Sequence, residues 1–248
     1  MNRTSGRSRA VCLKKRICLP RRAGNISLPH FAAFSRKPAR GSNAAVGGKL
    51  QRKNAMPDIL PILKEPNPIL REQAREIPLE DISSARIQRL IRGMKETLSA
   101  TSDGVGLAAP QVGESLRLFI VSEEAREIDR MKRRTPDAPD PAQKEKTPAK
   151  KQWAHYVFIN PKLKNISRRS REDTEGCLSV PEIYGRVARR EKLTVEAYDE
   201  RGEKFARGAS NFFARVVQHE LDHLHGILFK DTATGLVRIE RPAPAQKS

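Results

Sequence analysis

The chain is poor in cysteine, poor in aromatic side chains, and lacks any long apolar run. Three cysteines in 248 residues cannot staple a disulfide framework. Two of them, Cys12 and Cys18, lie in a basic N-terminal stretch. No run approaches the ~18 consecutive apolar residues that a membrane-spanning helix needs. No apolar segment with a small-residue cleavage site follows the N-terminal charges, which argues against a secretory leader. Acidic residues are also missing where they would be expected: residues 1–55 hold 14 Lys or Arg and no Asp or Glu. Removing those 14 charges from the formal +19 leaves +5 for residues 56–248. Strong basicity therefore belongs to the extension and not to the rest of the chain.

What is present is concentrated in three short segments. Gln218-His219-Glu220-Leu221-Asp222-His223 is the most informative. On a helix, His219 and His223 are one turn apart on the same face and can ligate one ion. Glu220 beside the first histidine can then handle the proton of a water activated by that ion. A third ligand is required. The downstream histidine of the extended protease pattern is replaced by Phe229, and of the carboxylates that follow, Asp231 and Glu240, neither is expected on a helix that could carry a ligand. Cys177, in Glu175-Gly176-Cys177-Leu178-Ser179, is the upstream candidate. A thiolate with two imidazoles suits a tetrahedral ion such as Zn²⁺ or Fe²⁺. The third segment is Gly104-Val105-Gly106-Leu107-Ala108-Ala109-Pro110-Gln111. Taken singly, each segment has a bland reading: a surface helix, a small buried hydrophobe, a glycine turn.

Together and in this order, the three segments resemble the peptide deformylase family, and the resemblance covers about residues 56–232. It implies a hydrolase that removes the formyl group from N-formylmethionine of newly made polypeptides. It implies Cys177, His219 and His223 as metal ligands, with Fe²⁺ as the native ion and Zn²⁺, Ni²⁺ or Co²⁺ able to replace it. It implies Glu220 as general base and acid, and the Gln111 side chain and the Leu178 N–H as donors to the oxyanion. Such donors are worth about 3 kcal/mol each. Gly106 and Val105 would border the peptide substrate, and Glu175 and Ser179 would support the metal loop. The expected partners are nascent N-formylmethionyl peptides, with transient ribosome proximity, no membrane and a monomeric chain. Two alternatives compete: a conventional zinc endopeptidase, and an RNA-binding protein whose metal is structural. Phe229 and Cys177 speak against the first, and Glu220 and Gln111 have no purpose in the second.

The expected fold class is α+β, with small antiparallel sheets around a central helix that carries the metal motif. Ser83 or Ser84 should cap a helix bearing Ile87, Leu90, Ile91, Met94 and Leu98 at helical spacing. Strands are expected at 116–121 and 155–163, and a hairpin at 192–198 and 203–206. The metal helix should run over 211–225 and end at Gly226. Residues 123–152, with 16 charges and four prolines, read as a charged loop insertion or a frayed helix that cannot bury a core. Residues 1–55 read as a disordered extension: a transit peptide, an RNA-contacting arm, or sequence upstream of a true start at Met56. Residues 233–248 read as a short C-terminal tail. A thiolate ligand needs reducing surroundings, so the expected compartment is the cytoplasm, or an organelle matrix if the extension is a transit peptide.

Overall fold

The computed structural model describes residues 59–102, 104–134 and 153–239. The expected extension 1–55 lies outside the described residues. In chain order the elements are α1 (Ala85–Ala100), β1 (Gly106–Ala108), β2 (Leu118–Ser122), α2 (Glu124–Arg134), β3 (His155–Lys164), β4 (Ser170–Cys177), β5 (Val180–Arg190), β6 (Lys192–Tyr198), β7 (Lys204–Ser210), α3 (Asn211–His223) and β8 (Thr234–Arg238). One antiparallel sheet has the order β1-β2-β3-β6-β7, and a second has the order β4-β5-β8. The fold is α+β, as expected.

Alternation along the strands decides which helix covers which face. Leu118 and Ile120 of β2, with Val157 and Ile159 of β3, pack with Ile87, Ile91, Met94 and Leu98 of α1. The alternate residues Phe119, Val121 and Phe158 pack with Phe213, Val216 and Val217 of α3. The five-stranded sheet thus separates the two helices. Phe119 and Phe158, partners on adjacent strands, stack side by side on the α3 face at 4.8 Å. Each large apolar side chain so buried stabilises the fold by roughly 1.5–3 kcal/mol. Ser84 is the cap of α1 and accepts the Ile87 N–H at 3.4 Å. The far side of α3 faces the second sheet, so this helix is central.

Expectation and structure part at three places. Of the two expected readings, the charged stretch after residue 122 begins as a helix and not as a loop. It forms α2, because Ala125 and Asp129 are buried and Ile128 packs against the α3 core. Its continuation beyond residue 134 lies outside the described residues. The expected tail after residue 232 contains β8, which pairs with β5. Its side chains are exposed throughout, so no hydrophobic alternation marks it in the sequence. The segment around Cys177 is the end of a long hairpin, with Cys177 opposite Val180 across its turn. The exposed residues of β4 likewise lack an alternating pattern.

Candidate metal centre

Helix α3 is buried along nearly its whole length, so its polar side chains must find partners in the protein interior. His219 and His223 project from it, with their rings 5.1 Å apart. The β4–β5 turn brings Cys177 to them. Its Sγ lies 3.2 Å from His223 Nε2. One donor atom from each of Cys177, His219 and His223 falls within 4.8 Å of the others, and all three residues are buried. Burial opposes ionisation of the Cys177 thiol, but the two imidazoles hold it well below its ordinary range. Burial also opposes protonation of His219, yet hydrogen bonds to Cys177 and Glu175 raise it. A thiolate and two imidazoles this close, sealed from solvent, fit a four-coordinate divalent cation with one position left over.

The donors are held by a buried charge network. His219 Nδ1 meets Glu175 Oε2 at 3.0 Å, which turns its other ring nitrogen inward. Glu175 is wholly buried. It accepts from Arg189 Nε at 2.8 Å and Nη2 at 3.0 Å, and from Arg215 Nη1 at 2.7 Å. Burial would raise its carboxyl, but Arg189 and His219 hold it well below the usual carboxylate range. Arg189 also pairs with Asp222, and Gln218 clasps both backbone groups of Arg190. The motif side chains Gln218 and Asp222 thereby tie α3 to β5. Phe229, in the place where a third histidine would stand, lies nearly parallel to the His219 ring at 6.2 Å.

Glu220 sits behind the donors and is only 4% exposed. Its Oε2 has no hydrogen-bond partner among the described residues. Burial pushes its carboxyl up to about 7; the two histidines oppose the rise, and Cys177 and Glu175 add to it. Gly106 of β1 packs directly on it: a Cβ there would fall 2.2 Å from Glu220 Oε1. The glycine thus makes room for Glu220, a reason that the sequence did not suggest. Gly104 likewise leaves room for Leu178, whose Cδ1 would be 2.7 Å from an added Cβ. Val105 is buried.

Gln111 is fixed at both ends. Its Oε1 accepts the Ala108 N–H at 2.8 Å, which orients the amide so that Nε2 faces Ser179 Oγ at 3.1 Å and Cys177 Sγ at 3.5 Å. The Ser179 N–H reaches Cys177 Sγ at 3.4 Å. Leu178 stands between them in the turn, and its carbonyl accepts from Lys64 Nζ. The structure therefore brings together Gln111, Cys177, Leu178, His219, Glu220 and His223, with Gly106 beside Glu220.

Sequence reasoning missed Arg189, Arg215 and Asp129. Arg215 lies four residues before His219, on the same helical face, and that spacing was a readable signal. Arg189 depends on how β5 pairs, which no local pattern specifies. Asp129 of α2 accepts the N–H groups of Phe212 and Phe213 at 2.9 and 3.0 Å. It caps α3 from outside, where the helix's own N-cap Ser210 makes no side-chain cap bond.

Comparison with known proteins gives one consistent result. A family model described as "Polypeptide deformylase" matches residues 59–238. "Peptide deformylase 2" of Nostoc sp. is 41% identical over 175 residues, 71% of this chain and 86% of that protein. "Peptide deformylase 1A, chloroplastic" of Solanum lycopersicum is 36% identical over 181 residues, 73% of this chain and 61% of that protein. A Met-Ala-Ser-bound class I type b peptide deformylase from Acinetobacter baumannii superposes with a TM-score of 0.57 at 32% identity, covering 71% of this chain and 99% of that one.

Proposed function

The chain belongs to the polypeptide deformylase family, and from that premise we propose that it removes the formyl group of N-formylmethionyl peptides with a divalent cation held by Cys177, His219 and His223. The observation that carries this reading is the convergence of three metal-type donors on a buried carboxylate with an unpartnered oxygen. When bound, the cation supplies a water of lowered pKa and draws electron density from the formyl carbonyl.

The protein's own groups do the rest. Glu220 takes the proton of the attacking water and returns it to the departing amine. Burial raises its carboxyl above the ordinary range, which favours its holding the proton between the two transfers. Negative charge gathering on the former carbonyl oxygen is met by the Gln111 amide and the Leu178 N–H. The bond from Ala108 keeps that amide correctly turned before substrate arrives. Strand β1 is an edge strand; the Val105 carbonyl turns inward to the Ser122 N–H, so the outward backbone at Gly106 is the part available to an extended peptide. A relative with Met-Ala-Ser bound accords with a peptide ligand.

The family resemblance favours Fe²⁺, with Zn²⁺, Ni²⁺ or Co²⁺ as substitutes in the same donor set. The protein acts as a monomer on nascent chains close to the ribosome. Its compartment is the cytoplasm, or an organelle matrix as in the chloroplastic relative. Among the described residues no helix is long and apolar enough to cross a membrane.

Formate release from N-formyl-Met-Ala-Ser tests the proposal, comparing anaerobically prepared protein with Glu220→Ala. Release by the parent, and its loss in the variant at equal metal content, are expected. No release from metal-loaded parent protein would overturn the proposal.

A further inference from the structure

The formal charge of residues 56–248 is +5, and it is not spread evenly. Residues 164–171 and 190–192 contain Lys164, Arg168, Arg169, Arg171, Arg190 and Lys192, with Glu191 the only carboxylate. These 11 residues alone carry +5, so the rest of that portion is formally neutral. All six cations are exposed.

The fold joins the two stretches into one surface at the open end of the β4–β5 hairpin. Ser170 is opposite Arg190 in the ladder. The Ser167 N–H bonds the Lys192 carbonyl at 2.8 Å, and the Glu191 N–H bonds the Arg169 carbonyl at 3.0 Å. Arg190 Nη1 bonds the Arg168 carbonyl at 2.8 Å. Among the described residues, the ion pairs of this region belong to other side chains: Arg186 to Glu172, Arg189 to Glu175 and Asp222, and Arg215 to Glu175. None of the six cations takes part in them.

We propose that this surface is a docking site for the phosphate backbone of structured RNA. Lys164 ends β3 opposite Thr194, two residues from Lys192 at the start of β6, so it joins the cations beside the hairpin end. Exposed cations gathered this way suit phosphate groups, and four of the six are arginines, whose guanidinium fork matches phosphate oxygens. A membrane surface is the poorer fit. Interfacial binding relies on large apolar side chains that insert beside the charges, and Ile166 is the single exposed large hydrophobic residue in the stretch. From Ser170 to Cys177 the strand spans roughly 23 Å at ~3.3 Å per residue. RNA held at one end of the hairpin therefore leaves the metal centre at the other end open. Placing that RNA beside the ribosomal tunnel rests on the co-translational reading above; binding of RNA does not.

The test uses full-length metal-loaded protein and a fluorescein-labelled RNA hairpin, with anisotropy followed across a potassium chloride series. The variant carries Lys164→Ser, Arg168→Ser, Arg169→Ser and Lys192→Ser. A second variant removes four cations of the extension (Arg3, Arg7, Arg9 and Lys14 to Ser). Each duplex phosphate contact contributes about 0.9 to the slope of log affinity against log salt. The hairpin-end variant should lose about 3 to 4 of that slope, with formate release from a free formyl tripeptide unchanged. An unaltered slope in that variant, or a slope lost only in the extension variant, would overturn the proposal. So would loss of pelleting with phosphatidylserine vesicles while RNA binding persists, which would assign the surface to membranes. Absence of formate release with RNA binding intact would instead sink the deformylase reading alone.

Discussion

At the scale of single residues the site is built from contacts that tolerate no substitution in size or charge. Gly106 is the clearest case. Alanine there would force Glu220 out of position, since the added carbon would lie 2.2 Å from Oε1. Gly106→Ala should lower kcat/KM by at least about 10²-fold, the ordinary worth of a placed acid–base group. Elemental analysis should find its metal content unchanged; loss of metal along with activity would contradict this account. Glu175→Gln tests the network behind His219. It leaves Arg215 buried without its carboxylate, which costs about 3–5 kcal/mol, while Arg189 keeps Asp222, and it removes the group that orients His219. Urea denaturation should show the stability loss. Metal titration should show affinity down by about 10–100-fold. The two imidazole donors, His219 and His223, were legible in the sequence because a helix places residues i and i+4 together whatever surrounds it. Glu175 was legible only as a neighbour of Cys177, because its partners Arg189 and Arg215 come from elements whose approach is set by tertiary packing.

At the scale of elements, α3 is fixed by its neighbours more than by its own ends. Asp129 supplies both of the described cap bonds to its first turn. Asp129→Ala should destabilise the protein by about 1–2 kcal/mol, read as a fall in midpoint in thermal denaturation. Helix α1 and the β6–β7 hairpin were legible because one face of each is apolar at the proper period. Helix α2 was legible only as one of two readings, and β8 was not legible. The first is dominated by charge and needs α3 to bury Asp129 against; the second is exposed on every residue and exists only because β5 offers an edge. A second clasp joins Glu65 and Arg71 to Lys230 and Asp231. Burial opposes ionisation of Glu65 and Asp231, but their basic partners hold both carboxyls below their ordinary values. A carboxyl lowered in the folded state stabilises above its unfolded pKa and loses that contribution as pH falls through the folded value. The stability deficit of Arg71→Ala should thus be measurable at neutral pH, within about 1 kcal/mol per exposed pair, and should shrink as pH drops below about 4. A deficit that stays constant down to the lowest pH would rule the clasp out as an electrostatic device.

At the scale of the whole molecule, two sheets and one helix share a single centre. The α+β class followed from the spacing of the motifs and their resemblance to a family, but the division into two sheets did not, because β4 and β5 carry charge where a strand pattern would show apolar alternation. Chelation of the cation should lower the thermal midpoint as well as abolish formate release. A ligand present at ~100 times its dissociation constant adds about 2.7 kcal/mol to the folded state. If the midpoint is unchanged by chelation under conditions that remove the metal, the three donors do not hold it in the folded protein. Cys177 stands at the tip of one sheet, while His219 and His223 belong to the helix that covers the other. A cation shared among them ties together two parts of the chain that could otherwise open separately. Deuterium uptake by the β4–β5 hairpin amides should therefore rise on metal loss, while the β2–β3 amides remain protected, making the hairpin a built-in gauge of how much of a preparation is loaded.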